Sequence, residues 1–433
     1  MINNTFGAQN LKRMNFIDEL RWREMLHDMT PGVEEKLMNG GVIGYIGFDP
    51  TAPSMTIGNY VQIMLLKLFQ QCGNTPIVLM GGATGRVGDP SGKDKERQLK
   101  SYEELDRNLE FQKKQVEKFL DFDGPNAAII VNNYDFYKNM NVLDFLRDVG
   151  KNLTVNYMMS KESVKKRLQT GISYTEFSYQ LLQANDFLCL LKEHNCVLQM
   201  GGSDQWGNIT SGTEFIRRNT ENKAFAVTTP LLAKADGTKF GKSEDGNIWL
   251  DRNLTSPYKF YQFWVNASDA DLPKYFRYFS LKTKTEIETL EKEFGDNPNH
   301  LKRILAEELT VRVHSEEDFK NVSNVSNLLF NKKASREELL SMNMESLQAV
   351  ELEIPSYEVQ IDETVSLESI CVEQCGIFSS KSEFKRAIKS NAISVNKEKI
   401  SDDSFTIQGS DFMHKTYLIL ENGKKNKFCL KRV

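Results

Sequence analysis

Through its first half the chain alternates short apolar runs with longer stretches of helical periodicity, and this alternation restricts the fold more than any other feature. Runs at 42–48, 76–80, 127–131 and 197–200 have the length and apolar character of buried strands. Between and after them, 57–71, 103–120, 142–149, 176–192 and 205–218 carry helical patterns. Strands alternating with helices predict a parallel sheet covered by helices on its faces. In such a sheet ligands bind beyond the carboxyl ends of the strands. Most of the chemically suggestive segments of this chain fall at such an end.

The run Val42-Ile43-Gly44-Tyr45-Ile46 passes through a Pro/Ser-rich turn into Thr56-Ile57-Gly58-Asn59, which opens a helical segment ending near Cys72-Gly73. A strand feeding a helix N-terminus offers unpaired N–H groups and the positive helix end to an anion. Taken alone, Thr and Asn there are ordinary helix caps. About 180 residues on, Lys239-Phe240-Gly241-Lys242-Ser243 sets two lysines across a glycine, a mobile cationic clamp. Alone, this would be two solvated lysines in a loop. The loop at 81–93, GGATGRVGDPSGK, invites a phosphate-loop reading but fails it, because position 87 is Val and Asp94 follows Lys93. Tyr179, Gln183 and Asp186 are spaced i, i+4, i+7 and share one helix face. This polar stripe is flanked by Leu181, Leu182 and Phe187, so a buried small polar ligand would suit it. Ser203 or Asp204 would cap the helix that follows the run at 197–200.

These segments together resemble the two nucleotide motifs, the "HIGH" and "KMSKS" boxes, of class I aminoacyl-tRNA synthetases. The rest of the chain resembles the bacterial tyrosyl-tRNA synthetase family through GFDPTAPS, GGATGRVGDPSGK, NYMMSKESV, YTEFSYQLLQANDF, GGSDQWGNITSG and KADGTKFGKS. The resemblance runs from about Met14 to the C-terminus. One departure is plain: the first box reads TIGN and lacks both histidines, as bacterial tryptophanyl enzymes do. The resemblance implies a tyrosine–tRNA ligase that activates L-tyrosine with ATP, Mg2+ accompanying the nucleotide, and passes tyrosine to the 3′ end of tRNA(Tyr). Gly58 would let adenine approach the backbone, Asn59 would bond a ribose oxygen, and Thr51 and Thr56 would offer hydroxyls to the phosphates. Asp49 and Asp204 join the ATP site, Asp204 on the ribose. Lys239 and Lys242, with Lys93 and Arg97 of the 81–97 segment, would stabilise the departing pyrophosphate. Tyrosine would lie between Asp89, Tyr179 and Gln183 at its ammonium and Tyr45 and Asp186 at its phenol, with Gln205 near the carboxylate. The nucleophile is already ionised, so no general base is needed, which fits a chain with only five histidines.

A length of 433 residues implies two to four domains. The expected division is a Rossmann-like α/β catalytic domain at 1–250, a helical domain at 251–350, a linker at 351–360 around Pro355, and a small α+β S4-like RNA-binding domain at 361–433. From Gly376 onward, twelve Lys and Arg stand against six Asp and Glu, although the whole chain carries −4. Lys381, Lys385, Arg386 and Lys389 line a helix in that tail and are the candidate RNA contacts. The six cysteines are scattered without metal-site spacing, which reads as reduced thiols in a cytoplasm. The first thirteen residues read as a polar extension rather than a signal peptide. The family is homodimeric and not membrane-bound, and both properties are expected here. Two rivals differ in kind: a synthetase of altered amino-acid specificity, and a non-catalytic RNA-binding paralogue.

Overall fold

Gly44 and Tyr45 are neighbours in one strand and so face opposite sides of its sheet. A side chain at Gly44 would press on Phe69 at 3.0 Å, whereas Tyr45 packs edge-on against Phe187 at 5.2 Å. The helix Ile57–Gln71 therefore covers one face and the helix Tyr174–His194 the other. The computed structural model describes residues 15–38, 40–91, 98–168, 171–243, 246–330, 335–361, 363–423 and 426–433. Its main sheet contains β1 (Asp28–Met29), β2 (Ile43–Phe48), β3 (Thr75–Met80), β4 (Ile129–Asn132), β5 (Leu198–Gly202) and β6 (Phe225–Thr229). The order is β1-β6-β5-β2-β3-β4, parallel throughout except for β1 at the edge. The chain winds one way from β2 through β3 to β4, then restarts on the other side of β2 with β5. The crevice outside the ends of β2 and β5 is thus the place where such a sheet binds ligands.

The four anticipated strands are present, each within two residues of its expected ends. β1 and β6 were not anticipated. β1 has only two residues, and β6 ends in Thr228 and Thr229, polar residues that are nonetheless fully buried. The helix expected over 103–120 runs Tyr102–Val116. The chain leaves it to let the Asp121 amide donate to Gln70 at 3.0 Å, while Phe119 and Leu120 stay buried. The helix expected over 142–149 is regular only at Val142–Asp144 and widens into an i→i+5 turn over Phe145–Val149.

The chain divides into two compact units, Met1–Thr255 with Phe263–Val313 and Ser256–Gln262 with His314–Val433. In the first, β7 (Lys242–Ser243) and β8 (Gly246–Asn247) form a small hairpin. In the second, helices Glu316–Phe330 and Met344–Glu353 precede β9 (Ser356–Val359). The stretch around Pro355, expected to be loose, instead supplies β9, which pairs in parallel with residues 429–432 more than seventy positions away. β10 (Thr364–Ser366), β11 (Ile393–Val395), β12 (Glu398–Lys399), β13 (Thr406–Gln408), β14 (Tyr417–Asn422) and β15 (Asn426–Arg432) complete it. The five-stranded sheet runs β12-β11-β14-β15-β9, and β10 pairs with β13 alone. The helix Lys381–Lys389 buries Phe384 and Ile388, one turn apart, in the core of this unit and leaves its lysines outside. All six cysteines are free thiols.

Candidate active site

The ends of β2, β3 and β5 open into a cleft of about 800 Å³. Tyr45, Asp49, Thr51, Thr56, Gly58, Asn59, Asp89, Tyr179, Gln183, Asp186, Asp204, Gln205 and Lys239 all line it. Lys93 and Arg97 lie outside the described residues, as does the side chain of Lys242, whose backbone stands in β7.

The deep end is polar and buried. Asp186 is 1% exposed; its Oδ2 accepts from the Asn133 amide at 2.9 Å and its Oδ1 from the Tyr137 hydroxyl at 2.7 Å. Burial pushes its carboxyl up to about 7, against the pull of the hydrogen bonds from Tyr137 and Asn133. Tyr45, fully buried on β2, finds no partner for its hydroxyl among the described residues, nor do the amide oxygens of Gln183 and of Gln199, which pairs with Tyr45 across β2 and β5. Unpartnered buried groups are rare in native proteins, and these three line the cleft, where a bound group can complete their bonding. Burial, then the charge of Asp186, holds the Tyr45 phenol well above its ordinary range, so it remains a neutral donor.

The middle is a relay of carboxylates. Asp49 accepts from the Tyr179 hydroxyl at 2.9 Å and from Thr84 at 2.7 Å. A side chain at Gly81 would strike Asp49 at 2.1 Å, which is why glycine stands there. Asp89 accepts from Gln205 at 2.7 Å, from the Ser91 amide at 2.9 Å and from Asn208 at 3.3 Å. These acceptors can hold an ammonium group.

At the mouth the two boxes meet. Thr56 caps the helix Ile57–Gln71, and its hydroxyl donates to Asn59 Oδ1 at 2.9 Å while that oxygen also accepts from the Thr56 amide at 3.0 Å. The two residues that replace the histidines therefore brace each other in a reciprocal cap. A side chain at Gly58 would meet nothing nearer than Thr56 at 3.4 Å, so its face of the helix is open to a flat ring. The segment after the second box ties the first down: the Ile57 amide donates to the Ile248 carbonyl at 3.0 Å and the Leu250 amide to Met55 at 2.9 Å. Gly241, at φ 85°, lies so close that a Cβ would sit 3.3 Å from Ile57. Phe240 anchors the loop among Trp264, Tyr275 and Phe279, with its ring centre 5.3 Å from each of the last two. Beside this buried ring, Lys239 stays exposed in the cleft.

The residues 38–331 match the family model of tRNA synthetases class I (W and Y). The chain belongs to this family. A synthetase of this family uses ATP. Residues 346–430 match the tyrosine–tRNA ligase SYY-like C-terminal domain. Among relatives, the tyrosine–tRNA ligase of Cytophaga hutchinsonii is 51% identical over 96% of this chain and 99% of its own length, and that of Bacteroides fragilis is 50% identical over 96% and 99%. A C-terminally truncated mitochondrial tyrosyl-tRNA synthetase of Aspergillus nidulans has the same fold with a TM-score of 0.66 at 29% identity, covering 74% of this chain and 95% of that one.

Sequence reasoning missed Thr84, Asn133, Tyr137, Gln199 and Asn208. Asn208 follows Gln205 at i+3, a spacing that could have paired them. Asn133 and Tyr137 follow β4 and carry no signal of their own, since their partner Asp186 lies some fifty residues on.

In the second unit, Lys381 pairs with Glu373 at 3.0 Å and Glu368 at 3.2 Å, and Lys385 with Asp403 at 3.4 Å. Arg386 and Lys389 remain exposed on the same helix.

Proposed function

We propose that the chain is a tyrosine–tRNA ligase acting on L-tyrosine, Mg-ATP and tRNA(Tyr). The observation that carries this is the deep end of the cleft: a buried carboxylate beside a buried phenol with a free donor, which reads a substrate hydroxyl. Tyrosine enters with its phenol toward Asp186 and Tyr45 and its ammonium toward Asp89, Tyr179 and Gln183. ATP lies across Gly58, with Asn59 and Asp204 at the ribose and Thr51 and Thr56 near the phosphates. Asp49 supports this arrangement by fixing Tyr179. The tyrosine carboxylate attacks the α-phosphorus; a new C–O–P bond forms, the bond to the bridging oxygen breaks, and pyrophosphate leaves. Negative charge grows on that leaving group, and fixed cations lower the barrier. Lys239 is positioned for this, with Lys242, Lys93 and Arg97 proposed alongside it. The 3′-terminal hydroxyl of tRNA then attacks the acyl carbon, and AMP departs. ATP–pyrophosphate exchange with each amino acid singly tests the assignment. Exchange that depends on tyrosine is expected; exchange with tryptophan alone would overturn it, and no exchange despite binding of tyrosine and ATP would favour a non-catalytic RNA-binding protein.

The tail is proposed to hold tRNA. Since Lys381 and Lys385 already face carboxylates, Arg386 and Lys389 are expected to carry more of the phosphate contact. The double change Arg386→Glu/Lys389→Glu should weaken tRNA charging by roughly 10-fold or more at moderate salt and flatten its salt dependence, with exchange unchanged. Equal charging by the variant and its parent would reject this surface.

A homodimer is proposed from the exposed apolar side chains Val142, Leu143, Leu146, Val155 and Met159, of which Leu143 is 72% exposed. Sedimentation at micromolar concentration should give twice the chain mass; a single-chain mass would reject it. No described helix is long and apolar enough to cross a membrane, and a cytoplasmic place is proposed.

A further inference from the structure

Tyr137 does not line the cleft, yet its hydroxyl reaches the residue at the bottom of it. It ends the short helix Tyr134–Tyr137 that follows β4. Its oxygen lies 2.7 Å from Asp186 Oδ1 and 2.9 Å from the Leu182 carbonyl, and the Asn185 amide donates to it at 3.3 Å. A phenol has one hydrogen, and the carboxylate is the stronger acceptor. Asn133 takes the other carboxylate oxygen at 2.9 Å and is itself fixed by the Ala83 amide at 2.7 Å. Both oxygens of Asp186 are therefore held before a ligand arrives, and each keeps a second lone pair.

We propose that Tyr137 is a positioning residue for amino-acid specificity, holding the Asp186 carboxylate as an aimed acceptor for the phenolic hydrogen of tyrosine. The inference rests on the reading of the cleft as a tyrosine site. The groups facing Asp186 are Tyr45 from β2, Asp49 beyond its end, Asn133 and Tyr137 beyond β4, and Tyr179 and Cys189 on its own helix. Burial and the charge of Asp49 oppose ionisation of Asp186; Tyr137 and Asn133 favour it. Removing the Tyr137 hydroxyl takes away one of the two donors that favour the carboxylate.

The test is Tyr137→Phe in the full chain, read by tyrosine-dependent pyrophosphate exchange across pH. The KM for tyrosine is expected to rise about 10-fold, as for loss of one hydrogen bond to a charged group. The KM for ATP should stay within about two-fold. The acid-side midpoint of kcat/KM for tyrosine, which reports the free enzyme, should move to higher pH. A second variant, Tyr137→His, returns a ring N–H donor and should recover part of the tyrosine KM. An unmoved midpoint in Tyr137→Phe, or Phe and His variants that behave alike, would overturn the proposal even if both lose stability. A parent chain without tyrosine-dependent exchange would overturn the reading of the cleft and this inference together; a normal parent with an unmoved Tyr137→Phe would overturn this inference alone.

Discussion

Asp186→Ala should raise the KM for tyrosine by roughly 30- to 150-fold, about 2–3 kcal/mol, while the KM for ATP stays within about two-fold. The substrate hydroxyl would lose a charged acceptor in a buried site, and the proposed ATP end of the cleft is built from other elements. Discrimination against phenylalanine should fall by a similar factor, because phenylalanine never used that bond. The same residue sets a pH dependence. Burial raises its carboxyl from the ordinary carboxylate range near 4 to about 7. A group raised on folding contributes stability below its unfolded value and loses that contribution as pH rises to the folded one. Unliganded protein should therefore lose stability on this account between about pH 4 and 7, the window in which tyrosine use improves. Both trends should vanish in Asp186→Ala. Tm and kcat/KM measured across pH for the two proteins would check this. Parallel losses for tyrosine and ATP, or an unchanged pH profile, would remove Asp186 from the phenol site.

Lys239→Ala should slow adenylate formation by roughly 100- to 1,000-fold, about 2.7–4 kcal/mol, the range found when one donor to a developing charge is removed. Tyrosine affinity should barely change, since the lysine stands at the mouth and the proposed tyrosine contacts lie below it. A loss in rate without a loss in ground-state binding marks an interaction made in the transition state. The fold should tolerate the change, because Phe240 rather than Lys239 anchors the loop. Thr56→Ala offers the contrast. Its hydroxyl already donates to Asn59, so its removal should cost about 1 kcal/mol of stability through the lost cap and a smaller share of the rate. Rapid-quench measurement of adenylate on both variants would rank the two; an unchanged rate in Lys239→Ala would place the charge stabilisation on other cations.

Much of this was legible in one dimension. The alternation of apolar runs and helical periods determined a parallel sheet with helices on both faces, because burial on two sides imposes those periods on local sequence. The spacing of Tyr179, Gln183 and Asp186 determined a shared face, because an α-helix fixes it. The segments around Thr56-Ile57-Gly58-Asn59 and Lys239-Phe240-Gly241-Lys242-Ser243 determined the family by resemblance. Other features had no local period to reveal them. β9 reads as a linker until it meets β15, and β6 reads as too polar until Thr228 and Thr229 are seen buried. Only the folded chain places Asn133 and Tyr137 on the two oxygens of Asp186. Contacts between residues distant in sequence are selected where they form, by the cost of leaving a buried polar group unpaired. The tertiary structure therefore decided which donors hold the buried carboxylate of Asp186, and the sequence alone determined that it would share a helix face with Tyr179 and Gln183.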